Sequence, residues 1–510
     1  MSNARDLADF ADGGIYKPVA TGALANGQTV VLNSNGTVQA VSPATSSNST
    51  PTVWRASQTN STTFDSTNDV AWYDPNSNTV VMVYSDNANS GYGTAIVGTI
   101  SGTTITFGSP LVFSSTSTSW CRVEKNYSYS DKVVIAWVVI ASSGALYAET
   151  FNISGTTITV NESFPSSKAT GVIKPQMVTS RDSADYDTTL FGLVYITYAN
   201  SNNFLYGTAL GCSTGPYTTS VMAGTPMVFA SVSIDANCFL SINPDQQPAM
   251  QAIVFANKGA TVGGIATTIF FGNYANFGEG TGALTTIGSE PRISYPQMAY
   301  EPSTGKYVVA FDADQFGYAD NPMRSYLLTV DAGNVTVSGP FVWADRPIFT
   351  QIMEFTIVGN NGQVVIFYRD VTSPNNAKYV AGTISGSTIY YGQTFTADTS
   401  SLPSSNIPIS VYDSNNSQAI IFYSDSTDSK YTMIDNAPST APNFIGITNE
   451  AIADGEAGVV SLRGSINQSV TGLTTQTDYY VQDDGALSTT VSPTPAGKAL
   501  SPTSILLKGI

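Results

Sequence analysis

The chain has 510 residues, only 11% of them charged, a formal net charge of -17 and no histidine. That acidic excess would repel a phosphate backbone, which argues against nucleic-acid binding, and the lack of histidine removes Ser-His and Cys-His nucleophiles and His-ligated metal sites. No apolar run is long enough to span a bilayer, so no membrane insertion is expected, and the three cysteines Cys121, Cys212 and Cys238, at no metal-type spacing, read as buried thiols.

The first residues, Met1 to Asp6, lack the basic and apolar regions of a signal peptide, so synthesis in a cytoplasm without export by that route is expected. Residues 1–15 read as an attachment peptide. Ala4 to Ala11 places Leu7, Phe10 and Ala11 on one side of a two-turn helix too short to persist alone in water. Leu7 and Phe10 are then partner-binding residues, the alternative being a frayed end.

Residues 16–48 begin a terminal β domain. Gly27 to Leu32 and Gly36 to Val41 flank the turn Asn33-Ser34-Asn35, and Ser42 to Pro51 reads as a Ser/Thr-rich linker.

From residue 49 to residue 436 a repeat takes over. Ile100-Ser101-Gly102-Thr103-Thr104-Ile105 returns as Ile153 to Ile158 and again as Ile384 to Ile389. Each copy is two strand ends joined by a Ser-Gly turn, and a spacing of about fifty residues matches one propeller blade. Near-continuous apolar runs can be laid under one another: Val80–Tyr84, Val133–Trp137, Phe191–Tyr195, Gln251–Phe255, Val308–Phe311, Val364–Tyr368 and Ala419–Tyr423. Such runs suit strands covered on both faces by neighbouring blades. They predict a seven-bladed β-propeller.

The last repeat lacks a fourth strand after Lys430 to Ile434. Pro51-Thr52-Val53-Trp54 has the form of the fourth strands Pro110 to Phe113 and Pro340 to Trp343, so closure of the ring by the N-terminal strand is expected.

Residues 437–510 form the second part of the terminal domain, with short apolar runs at Phe444–Ile447, Gly458–Leu462, Asp478–Gln482, Ala486–Thr490 and Ser504–Lys508. The runs Ala453 to Val460, Tyr479 to Thr490 and Gly497 to Ser501 resemble a small β module of tailed-bacteriophage virion proteins. In that module a strand pair of the Gly27–Leu32 and Gly36–Ala40 type leads almost directly into a segment like Phe444–Ile447. The resemblance therefore implies an all-β chain in which the propeller is inserted into a small β-barrel or β-sandwich domain formed by both termini.

Three candidate chemistries remain. Second strands end in Tyr84-Ser85-Asp86, Tyr368-Arg369-Asp370 and Tyr423-Ser424-Asp425; the Asp86, Asp370 and Asp425 carboxylates could bind glycan, or the tyrosines could simply pack between blades. Asp312, Asp314 and Asp320 could ligate Ca²⁺ on one loop or lie in a solvated loop. Paired carboxylates could hydrolyse a glycosidic bond, but no spacing in the sequence fixes the separation.

The absence of histidine and of a recognisable acid pair favours a non-enzyme, and the resemblance implies a virion protein of a tailed phage, present in many copies. It would dock on other virion proteins by its terminal domain and project the propeller as a tail fibre, knob or spike touching host surface glycan. The alternatives are a capsid or neck decoration protein and a virion-borne glycan-degrading propeller enzyme. No cofactor is expected.

Overall fold

The computed structural model describes residues 16–33, 35–42, 45–55, 70–125, 131–139, 144–160, 170–179, 189–199, 202–212, 221–223, 227–230, 241–244, 250–256, 264–270, 285–287, 294–312, 323–331, 334–344, 355–360, 362–370, 375–403, 408–425, 428–437, 440–482, 484–492 and 494–509. Among these, regular structure is all β apart from single 3-10 turns at Asn87–Asn89 and Ala441–Asn443. The chain forms two compact units, Ser47–Asp435 and a second made of Met1–Ser46 with Asn436–Ile510.

The central unit is a succession of antiparallel meanders. One sheet runs in order through Ser294–Glu301, Lys306–Asp312, Met323–Asp331 and Asn334–Ala344, and the next through Phe355–Asn360, Gln363–Arg369, Asn376–Ser385 and Thr388–Ser401. The repeated Ser-Gly turns close third-to-fourth-strand hairpins, with Ile100 opposite Ile105, Ile153 opposite Ile158 and Ile384 opposite Ile389. Gly102, Gly155 and Gly386 sit there at φ 59, 57 and 56°, a region that an L side chain resists.

The second strands Thr79–Asp86, Lys132–Val139, Gln363–Arg369 and Gln418–Ser424 are buried along nearly their whole length because each side belongs to a different core. Val80, Met82 and Tyr84 pack with Ile420 and Phe422, whereas the alternate residues Val81 and Val83 pack with Ile135 and Trp137. First strands of successive sheets also touch: Val70–Asp74 meets Leu111–Lys125, followed by Val172–Thr179, Ser241–Pro244, Ser294–Glu301, Phe355–Asn360 and Ile409–Asp413. The last of these returns to Val70–Asp74. Strand Leu111–Lys125 serves two sheets, since its first half pairs with Tyr92–Ser101 and its second with Lys132–Val139; the bend falls at Trp120, φ 51°.

The final sheet has three strands of its own, Ile409–Asp413, Gln418–Ser424 and Ser429–Ala437. Thr52–Arg55 completes it from the other end of the unit, antiparallel, with Thr52 opposite Tyr431 and Val53 opposite Lys430. Trp54 then packs against Tyr84, Phe107 and Phe422. One expectation is corrected here: within the presumed linker, Thr45–Asn48 is a strand on the same partner, and the Ser49 N–H donates to the Met433 carbonyl at 2.8 Å. Ser and Thr suit a pleated edge as well as a turn, and the open edge of Ser429–Ala437 supplies the partners that decide between them.

The terminal unit has two sheets. Val38–Ala40 and Thr29–Leu32 continue into Phe444–Thr448 and Val460–Leu462, so both ends of the chain share one sheet, with Val30 opposite Gly446. The other sheet runs Ile466–Asn467, Ser504–Leu507, Thr494–Ser501, Asp478–Val481 and Leu487–Ser488. Val31, Phe444, Ile447, Tyr479, Val481, Ala496, Ile505 and Leu507 make the core between them. On its far side the first sheet buries Val30, Val38 and Val460 with Ala20, Leu24 and Ile452.

Candidate functional site

Antiparallel meanders bring the last residues of all second strands to one end of their sheets. At that end the three predicted aspartates are each held by a cation. Asp86 pairs with Arg55 of the closing strand, whose guanidinium also lies 5.1 Å from the centre of the Tyr84 ring, and Asp370 pairs with Lys378. Asp425 lies 2.6 Å from the Lys430 ammonium.

The last pair belongs to the densest polar cluster of the three. Lys430 also reaches Asp398 Oδ2 at 3.1 Å and Ser400 Oγ at 3.0 Å, and the Tyr423 hydroxyl donates to Asp398 Oδ2 at 2.9 Å. Burial works against ionisation of Asp398 but is outweighed by the Ser400 N–H, the Tyr423 hydroxyl and Lys430, which together hold its pKa below the usual carboxylate value. At Lys430 burial is likewise outweighed, here by Asp425 and Asp398, and its pKa is raised. Burial, then the charge of Asp398, pushes the Tyr423 hydroxyl up. The cluster is thus a fixed arrangement of two carboxylates around one ammonium, with a neutral phenol.

Tyr84, Tyr368 and Tyr423 are all buried, so they pack between sheets and offer no face to a sugar ring. Sequence reasoning missed the cations and Asp398. A signal existed in the recurrence of Lys378-Tyr379 and Lys430-Tyr431 shortly after the Tyr-x-Asp ends, but it takes the strand register to show that the charges meet.

The opposite ends of the sheets carry a different device. Glu301, fully buried, accepts from the Ser303, Thr304 and Gly362 N–H groups at 3.1, 2.7 and 2.8 Å, and Gly362 belongs to the following sheet. Burial opposes ionisation there too, yet these donors keep its pKa low. Asp413 accepts from Asn416 and Gln418, while Asn415 reaches the Pro75 carbonyl at 2.7 Å and Gln418 the Gly102 carbonyl at 3.0 Å, tying the last sheet to the first.

Asp312 ends the strand Lys306–Asp312, and Asp314 and Asp320 lie outside the described residues, as do Leu7 and Phe10. Among the described residues no group of three or more Cys, Asp or Glu could hold a metal ion. The terminal unit has a polar cleft of about 400 Å³ between the turns Asn26–Thr29 and Ser469–Leu473.

No family model matches the chain, and no curated protein matches it in sequence. Solved structures similar to it include Saccharomyces cerevisiae Sqt1, at 10% identity and TM-score 0.45 over 78% of this chain and 100% of that one. The lectin of Aleuria aurantia, described as a six-bladed β-propeller with a fucose recognition mode, is 13% identical, TM-score 0.39, over 66% of this chain and 99% of its own. An ulvan lyase of polysaccharide lyase family PL25 is 8% identical, TM-score 0.48, over 76% and 95%. At these values they assign no ligand or activity to this chain.

One expectation is corrected here: the reading of this chain as a non-enzyme does not stand. Similar structures include that lyase, an α-L-arabinanase of Penicillium chrysogenum at 10% identity and TM-score 0.38 and a Trypanosoma rangeli sialidase at 12% and 0.32. The physical basis of that reading was too narrow, because carboxylates and tyrosines can serve as acids, bases and nucleophiles without histidine.

Proposed function

We propose that the central unit is a seven-bladed β-propeller that engages a surface polysaccharide, and that the terminal unit carries it on the particle of a tailed bacteriophage. One observation carries the first half of this reading: the ion pair at the end of a second strand recurs in three sheets, at Asp86, Asp370 and Asp425, always at the same end. Fixed charge pairs at the base of a ring of connections suit a neutral or weakly charged, hydroxyl-rich ligand, which takes hydrogen bonds from oriented groups and does not need a net opposite charge. Support for the second half comes from the phage-module resemblance of Ala453–Val460 and Tyr479–Thr490, together with the pairing of Thr29–Leu32 with Phe444–Thr448.

Cleavage of the held polysaccharide is a second reading. It is favoured by Asp398 and Asp425, two carboxylates gathered on Lys430. Both readings meet one experiment. Purified phage particles that contain the protein by mass spectrometry identify a host strain, and surface polysaccharide from that strain is passed over the immobilised chain. Retention is expected, and new reducing ends or unsaturated products would select the second reading. Absence of the protein from every particle preparation would overturn the virion assignment, and absence of both retention and cleavage would overturn the carbohydrate assignment.

A further inference from the structure

In the terminal unit the second sheet turns one side to the core and leaves the other uncovered. The uncovered side has a continuous cross-strand row, because Ile466 stands opposite Leu506, Leu506 opposite Lys498, and Lys498 opposite Asp478. Ile466 and Leu506 are 49% and 43% exposed, and Leu500, two residues along from Lys498, is 45% exposed. Three large aliphatic side chains side by side on a strand face make an apolar patch with no partner among the described residues.

The patch also departs from the rest of the chain in charge. Lys498 and Lys508 flank it against the single carboxylate Asp478, whose contact with Lys498 is a loose 3.9 Å between well-exposed groups, whereas the chain as a whole is at -17. A matching segment lies within the same molecule. Residues 4–12 carry Leu7, Phe10 and Ala11 for an apolar patch and Asp6, Asp9 and Asp12 against one Arg5 for its lysines.

The reach is adequate. The described chain starts at Tyr16, paired with Val460, and the Ser461 hydroxyl next to Val460 donates to the Ile466 carbonyl at 3.4 Å, so Tyr16 lies against the strand that adjoins the edge strand of the patch. Six to nine residues from Tyr16 back to Phe10 and Leu7 span up to roughly 20–30 Å when extended, two to three times the roughly 10 Å between packed sheets, which leaves length to pass the second sheet's edge and reach its outer side.

We propose that the N-terminal segment, residues 4–12, folds back as a short amphipathic turn onto the Ile466–Leu500–Leu506 face of its own molecule, with its aspartates over Lys498 and Lys508. The contact is independent of what the central unit holds and of the particle. Its test uses the pure full-length chain with a photo-crosslinking phenylalanine analogue at position 506, and a control analogue at position 32, an exposed site on the other sheet.

Irradiation should join position 506 to a peptide from residues 1–15 within monomers, at a yield several-fold above the position-32 control. Lys498→Glu with Lys508→Glu should lower that yield several-fold, and adding Asp6→Lys, Asp9→Lys and Asp12→Lys should restore it. A yield no higher than the control overturns the proposal. So does a yield indifferent to the charge reversals, or crosslinks found only between differently isotope-labelled copies, which would make the occupant a second molecule.

Discussion

The two units close themselves in opposite ways. In the central unit, among the described residues, almost every hydrogen-bonded pair joins strands that follow one another in sequence, and only Thr45–Asn48 and Thr52–Arg55 reach across to residues 429–437. In the terminal unit the central pairing of the first sheet joins Thr29–Leu32 to Phe444–Thr448, partners separated by the whole of the other unit. The first can form sheet by sheet from local contacts and needs one late closure; the second has no complete sheet until the last hundred residues exist. The difference predicts that the closure strand dominates stability in one unit, while assembly order dominates in the other.

The largest effect should come from breaking that closure. Removing residues 51–55 opens the Ser429–Tyr431 part of that edge and withdraws the partly buried Trp54 from Tyr84, Phe107 and Phe422, for a loss of about 2–4 kcal/mol, below the roughly 3–5 kcal/mol of a fully buried aromatic. A denaturant titration followed by tryptophan fluorescence measures it. An unchanged midpoint would show that the ring does not depend on its closing strand.

Next in size is Glu301→Gln. The amide replaces one accepting oxygen by a donor facing the N–H groups of Ser303, Thr304 and Gly362, and should cost on the order of 2–3 kcal/mol. The same titration should register it in the central unit alone.

A third expectation concerns pH. Asp398, Asp413 and Glu301 have folded pKa values below their ordinary 3.8, 3.8 and 4.5, so their stabilisation is fully present above those ordinary values and is lost as pH falls through the folded ones. Lys430 is raised above 10.5, so its contribution is present below that pH and is lost as pH rises through the folded value. Thermal midpoints of the central unit should therefore be flat between about pH 5 and 10 and fall on both sides. Asp398→Asn should blunt both flanks, since Lys430 then keeps Asp425 as its one carboxylate beside the Ser400 hydroxyl.

The smallest effect should be Asp370→Asn. Its partner Lys378 is about a third exposed, and such a pair is worth about 0.2–1 kcal/mol, against more for Asp425→Asn, which strips a nearly buried Lys430 of a partner. Equal losses at the two sites would mean that the strand-end pairs are interchangeable braces.

How much of this could be read from residues alone follows the range of the interaction. The second-strand runs were legible because burial on both faces removes the polar alternation an exposed strand shows, and the closing strand was legible because Pro51 to Trp54 repeats a local form. Thr45–Asn48 reads as linker from the sequence because Ser and Thr carry no signal of their own until an edge is offered. The clasp of Glu301 on Gly362 spans 61 residues and two sheets, and nothing near either residue announces it. The ion pairs fall between these cases: the aspartates were visible, but the lysines became their partners only once the strand register was known.

The closing strands also bear on how the central unit carries load. Because Thr52 stands opposite Tyr431 and Ser49 bonds Met433, the antiparallel run continues so that the chain enters near residue 45 and leaves near residue 437 at the same end of one sheet. Tension applied to both connections together pulls two neighbouring strands lengthwise in the same direction. Their hydrogen bonds to each other are then hardly loaded, and the force passes as shear into Gln418–Ser424 and, through the Trp54 contacts, into the first sheet. Lengthwise sliding must break a strand's bonds all at once, whereas peeling breaks them singly, so the ring is gripped in the direction that resists pulling best.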